Sequence, residues 1–193
     1  SMTAAAFYWP DTGRLECLGT FPSRPSLLDR GQNDGVSGRY VEMQDRGELS
    51  VLGDQTVPIA PWLAHVMQHV EGEPVAALVL DRYKQAEIGE AIDRAGIRAP
   101  VIWRGFGFKD GGEDCERFRR AAYDGKVQTV PSLLLRSAFA DAVCLRDPAN
   151  NIKLAKARST GRIDAASATV IAVAEGARIN SRNTGRGGRV VWG

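Results

Sequence analysis

Two aspartates far apart in this 193-residue chain stand where a carboxylate could do chemistry. Asp164 closes Ser159-Thr160-Gly161-Arg162-Ile163-Asp164 and opens an alanine- and serine-rich run that reads as a helix. A carboxylate in a first helical turn gains from the positive end of the helix dipole, stays ionised and can hold a divalent cation. It can equally serve only to satisfy free backbone N–H groups. Asp81 ends the apolar run Pro74-Val75-Ala76-Ala77-Leu78-Val79-Leu80. Such a run reads as a strand buried on both faces. Its polar end emerges at the carboxyl edge of the sheet, where open α/β sheets place ligands. Asp81 could instead simply cap the helix that follows. Magnesium and manganese take hard oxygen ligands. Two such ions about 4 Å apart can cleave a phosphodiester. The spacing alone does not force the two acids to converge.

Cations lie beside both acids. Arg82 follows Asp81, and Lys153, Lys156, Arg158 and Arg162 precede Asp164. With Lys109 they are the candidate DNA-binding residues, suited to a polyanion through sequence-independent phosphate contacts. All but Arg82 and Arg162 could equally be solvated charges on a hairpin. The net charge is only +2, so a nucleic-acid surface has to come from clustering. His65 and His69 have a zinc-compatible spacing, but Val66 stands where a zinc protease carries Glu, and the pair reads as a solvated helix face. Gly105-Phe106-Gly107-Phe108 lacks the third glycine of a dinucleotide fingerprint and reads as a flexible loop. The chain contains no Gly-x-x-x-x-Gly-Lys-Ser/Thr, so ATP hydrolysis is not expected of it.

The elements that must position these residues can be read from pattern. Residues 3–9 and 14–21 form a hairpin around Pro10-Asp11-Thr12-Gly13. Residues 22–38 read as loop, 48–52 as a short strand, and 58–70 as a helix with an Ile59, Trp62, Leu63, Val66, Val70 stripe. A strand at 75–80 is followed by a helix at 84–95, ended by Gly96, and by a strand at 101–104. Helices are expected at 113–123, 131–140 and 163–177. Short strands at 142–146 and 152–154 flank Asp147-Pro148-Ala149-Asn150-Asn151. Residues 1–177 read as one domain and 178–193 as a polar Gly/Arg-rich tail. Strands alternating with helices after a hairpin indicate an α/β fold with a mixed sheet. Hydrophobic content of 44% and charged content of 25% are ordinary for a globular domain. Three widely spaced cysteines read as reduced and intracellular. With no membrane-length apolar run and no signal peptide, a cytoplasmic location is expected.

Taken in order, four motifs resemble the nuclease domain of phage terminase large subunits. They are Leu80-Asp81-Arg82-Tyr83 before an amphipathic helix, Gly105-Phe106-Gly107-Phe108, Arg146-Asp147-Pro148-Ala149-Asn150-Asn151-Ile152-Lys153, and Ser159-Thr160-Gly161-Arg162-Ile163-Asp164. The likeness extends over about residues 3–177, and its specificity lies in order and spacing rather than in any one tetrapeptide. It implies a ribonuclease H-like mixed β-sheet flanked by helices, and two-metal cleavage with Mg2+ or Mn2+. It also implies a concatemeric double-stranded DNA substrate in the bacterial host cytoplasm, the portal and the small terminase subunit as partners, and no membrane. Asp81 and Asp164 match two of the family's metal-binding catalytic acids. The family's first acid precedes the stretch resembling Thr3-Ala4-Ala5-Ala6, and no Asp stands there in this sequence. The resemblance therefore implies a sheet missing its first strand and a site short of one ligand. Two functions stay open: a metal-dependent endonuclease domain, or a non-catalytic DNA- or portal-docking module or inactive prophage remnant.

Overall fold

Residue alternation builds the centre of the molecule. In β1 (Thr3–Trp9), Ala4, Ala6 and Tyr8 pack into one core while Ala5, Phe7 and Trp9 pack into another. That is the period of two which buries a strand on both faces. The computed structural model describes residues 2–105, 107–159 and 162–182, and the backbone of 190–192. β1 turns into β2 (Arg14–Phe21) through the expected hairpin, in which the Gly13 N–H donates to the Trp9 carbonyl at 2.8 Å and Trp9 pairs with Arg14. β3 (Leu49–Val51), β4 (Val75–Asp81), β5 (Val101–Arg104) and β8 (Val190–Trp192) complete the main sheet. β6 (Cys144–Arg146) and β7 (Ile152–Leu154) form a separate antiparallel pair. The main sheet is mixed, in the order β3-β2-β1-β8-β4-β5. β4 runs parallel to β5 and to β8, and β1 runs antiparallel to β8.

Helices cover both faces. α3 (Ile59–Gln68) and α4 (Gln85–Arg94) bring Leu63, Val66, Ala91 and Ile92 against Ala5, Phe7 and Leu78. The opposite face carries α7 (Asp164–Arg182), with α5 (Phe108–Tyr123) and α6 (Leu133–Ala140) beside it. Small residues let α7 lie close to the sheet: Ala165, Ala166, Ala172 and Ala174 are fully buried. At Gly176 a Cβ would sit 2.4 Å from the Tyr8 ring, so only glycine fits where the helix crosses β1.

Several sequence expectations are corrected. Residues 22–38, read as loop, contain α1 (Leu27–Asn33), and α2 (Arg39–Asp45) follows it. The Ser26 hydroxyl accepts the Asp29 N–H at 3.1 Å, and Ser-x-x-Asp is a helix-start signal that was available in the sequence. α5 begins at Phe108, five residues before the expected 113, and so places Asp110 in its first turn. α7 runs past 177 to Arg182, and Val190–Trp192 forms a strand within the sheet. Those three residues are β-prone, but their partners lie more than a hundred residues away in the chain, as the pairing of Phe7 with Trp192 shows. The expected loop at 105–108 includes Phe106, which lies outside the described residues; Gly107 caps α5. His69 is not simply solvated. Its Nε2 is 2.7 Å from Glu16 Oε2, and its ring packs on Phe7 at 4.5 Å between centroids. Burial raises the Glu16 carboxyl, but His69 and Arg14 outweigh it and hold the group below its ordinary value. Among the described residues, no helix is long and apolar enough to cross a membrane.

Candidate active site

Asp81 is the last residue of β4, in register with Arg104 of β5. Its Oδ1 accepts the Tyr83 N–H at 3.0 Å, an Asx-type turn that stops the strand and fixes the carboxylate at the sheet edge. Lys84, in a left-handed conformation at φ 64°, then starts α4. Alternation along β4 puts Leu78 and Leu80 in the core under α3 and α4, and Val79 against Ile171 of α7. Asp81 is therefore on the face that α7 covers.

Asp164 is the first residue of α7, and its neighbour Ile163 is buried in the core with Met2 and Ala6. Ile171 packs with Val79, and Ile179 joins the same cluster with Ala76 and Ile102, so α7 runs antiparallel to β4. From Ile171 back to Asp164 the helix rises roughly 10 Å. From Val79 to Asp81 the strand advances about 7 Å. Both acids thus stand at the same edge and on the same face. They are separated sideways by the positions of β8 and β1, at about 4.8 Å per strand. β8 points toward this edge, with Trp192 opposite Leu78, three residues short of the level of Asp81.

The Asp164 carboxylate has two different environments. Oδ1 pairs with the Lys156 ammonium. Oδ2 is buried and has no hydrogen-bond partner among the described residues. An orphaned, buried carboxylate oxygen is unusual and needs a reason. A hard cation fits that oxygen by donor type. Among the described residues, no group of three or more acid, histidine or cysteine side chains is placed to hold a metal ion.

The expected phosphate contacts divide into several kinds. Arg82 is 63% exposed, and its guanidinium lies 3.9 Å from Asp110. Lys109 and Arg158 are exposed. The Lys153 ammonium sits 4.4 Å over the Phe108 ring, a cation–π contact. Lys156 is occupied with Asp164. Arg162 is not a free cation. Its Nε and one terminal nitrogen donate to the two oxygens of Asp34 at 2.8 and 2.9 Å, and the Tyr40 hydroxyl donates to the same carboxylate at 2.8 Å. Burial raises Asp34, but Arg162 and Tyr40 prevail and keep its carboxyl below the ordinary value. Burial, with the carboxylate, pushes Tyr40 up.

Sequence reasoning missed Asp34, Asp110, Asp114 and Glu175. Asp110 Oδ2 accepts the Gly105 N–H at 3.1 Å and so closes the turn after β5. Asp114 clamps Arg104, and Glu175 clamps Arg178, both in the buried seam between α5, α7 and the sheet. A signal existed for each of this last pair. Asp114 has helical spacing to inward Phe118 and Ala121, and Glu175 interrupts Ala172-Val173-Ala174 with an arginine three residues on.

A mixed sheet covered by helices on both faces, with Asp81 and Asp164 at one edge, is the arrangement that the ribonuclease H-like expectation calls for. The solved structure titled "Crystal structure of the HK97 bacteriophage large terminase" superposes with a TM-score of 0.77 at 20% identity, over 91% of this chain and 40% of that one. The large terminase subunit of Enterobacteria phage HK97 is 27% identical over 111 residues, 58% of this chain and 22% of the relative. The chain thus spans well under half the length of these longer proteins. The family described as "Terminase large subunit, endonuclease domain" matches residues 32–179. The chain belongs to that family.

Proposed function

We propose that this chain is a metal-dependent endonuclease module that cuts concatemeric double-stranded DNA within a DNA-packaging terminase. The observation that carries this reading is the buried Oδ2 of Asp164, unpartnered among the described residues, at the sheet edge where Asp81 ends β4. Asp81 and Asp164 are the residues to hold Mg2+ or Mn2+. The chemistry supplied by bound ions is activation of water and stabilisation of the departing oxygen. Within the chain, the Asx turn orients Asp81, the start of α7 orients Asp164, and Arg82, Lys109, Lys153 and Arg158 meet phosphates. In the longer protein, the portal and the small subunit are the expected partners, in the host cytoplasm. The Lys156 ammonium on Asp164 favours a second reading, a DNA- or portal-docking module in which a lysine stands in for the cation. Plasmid nicking separates the two. The endonuclease nicks in Mn2+ or Mg2+ and stops in chelator, slowly if a further acid is needed. The docking module binds DNA and never nicks it.

Binding to DNA gives a second check. Replacing Lys109 and Arg158 together with alanine should lower affinity for unrelated duplexes equally and reduce the log–log salt slope by about 2, close to one for each phosphate that is no longer neutralised. Arg162→Ala should leave that slope unchanged, because its guanidinium is bound to Asp34. Titrations at several salt concentrations measure both. An unchanged slope for the double variant moves the phosphate surface elsewhere.

A further inference from the structure

We infer that Asp34 and Tyr40 are positioning residues, which act through Arg162 to fix the first turn of α7 and hence the aim of the Asp164 carboxylate. This rests on the reading of Asp164 as a metal ligand. Asp34 caps the end of α1 by donating its N–H to the Arg30 carbonyl at 2.9 Å, and Tyr40 is a buried residue of α2. The two-point contact between Asp34 and Arg162 spans 128 residues of chain. A fork of this kind fixes orientation as well as distance. Tyr40 donates to the same oxygen, Oδ2, that Arg162 Nε reaches. Its ring packs edge-on against Phe21 at 4.9 Å, so the hydroxyl has little freedom.

The next residues transmit that constraint. Ile163 is 1% exposed, and its carbonyl accepts the Ser167 N–H at 2.9 Å, which closes the first turn of α7. Asp164 is thus flanked on its N-terminal side by an anchored guanidinium and an anchored apolar side chain. Its χ angles start from a backbone held in the first turn of α7. With the fork cut, what remains beside the carboxylate among the described residues is buried Ile163 and the ion pair to Lys156, which is 67% exposed. The pair of short helices between β2 and β3 then has a job: it delivers one carboxylate to the residue that precedes the site by two.

The test is a Mn2+ titration of the full chain, labelled with nitrogen-15 and read by paramagnetic loss of amide signals next to Asp81 and Asp164. The half-effect Mn2+ concentration should rise about tenfold in Asp34→Asn, the scale for losing an outer partner of a metal ligand. It should rise by a smaller factor in Tyr40→Phe and return most of the way in Asp34→Glu. Tyr8→Phe, which loses an unrelated hydrogen bond to the Lys126 carbonyl, should leave it unchanged. A half-effect in Asp34→Asn and Tyr40→Phe equal to that of the parent overturns the positioning role and leaves the metal reading standing. No broadening near Asp164 in the parent chain overturns the metal reading, and the positioning role with it.

Discussion

Asp164→Ala should cut Mn2+-dependent nicking by about a thousandfold or more, the scale seen when one member of a cooperating catalytic set is removed. Its melting temperature should stay close to that of the parent. The stability side follows from the two oxygens. Oδ1 forms an ion pair with a lysine that is 67% exposed, a contact worth at most about 1 kcal/mol. The helix-start position adds roughly 0.3–1 kcal/mol. Against these stands the buried Oδ2, without a partner among the described residues, which costs about 1–3 kcal/mol. The terms offset each other, so alanine is nearly neutral for folding. A residue whose loss costs activity and not stability is what a ligand predicts and a cap does not. Asp81→Ala should lose activity on the same scale, and the double variant should be no worse than either single, because the two act as a unit. Lys156→Met removes the competing ammonium and should lower the Mn2+ concentration needed. Nicking rates at several Mn2+ concentrations, with thermal melts of the same samples, measure all of this. Undiminished cleavage by both alanine variants assigns the activity elsewhere.

The acids were legible for local reasons. Asp81 ends a continuous apolar run, and Asp164 opens a run of small residues, so strand end and helix start could be read without tertiary information. The hairpin at Pro10-Asp11-Thr12-Gly13 was legible in the same way, since turn chemistry is local. Non-local pairing was not. Arg162 carries the same charge whether it faces DNA or Asp34, and its partner lies 128 residues away. The strand at 190–192 follows a glycine- and arginine-rich stretch, and its partners β1 and β4 give no local sign of it. α1 was missed for a different reason: Pro25 and Gly35 flank a short helix and Gly31 lies within it, and weighting glycine and proline hid the Ser26–Asp29 start signal. The family resemblance supplied the ribonuclease H-like fold, which periodicity alone left among other three-layer arrangements.

Asp114 should behave as the opposite of Asp164, with Asp114→Ala losing about 3–5 kcal/mol of stability. Asp114 is 3% exposed on α5, and its carboxylate accepts from Arg104 Nε at 3.2 Å and from a terminal guanidinium nitrogen. Arg104 lies at the end of β5, in register with Asp81, and its carbonyl accepts the Arg82 N–H at 2.9 Å. Nearby, Glu175 is 2% exposed and paired with Arg178. The cluster therefore holds two buried acids against two arginines. Burial raises the Asp114 carboxyl, and the Arg104 guanidinium only partly offsets that. The ion pair is thus not a large net source of stability; its importance lies in what is left when half of it goes. Alanine at 114 leaves the Arg104 guanidinium under α5 without its ion-pair partner, with Asp110 and Glu175 acting on it only from farther away. For a chain of this size the loss corresponds to a melting temperature lower by on the order of 10 °C. The companion variant decides between the pair and the packing. Asp114→Leu combined with Arg104→Met removes both charges, keeps volume, and should restore most of the loss, because replacing a whole buried pair with apolar groups is often neutral. Chemical denaturation of the two variants and the parent measures the difference. Equal destabilisation of single and double variants would mean that the cluster contributes through side-chain shape, and that the stranded charge is not the cause.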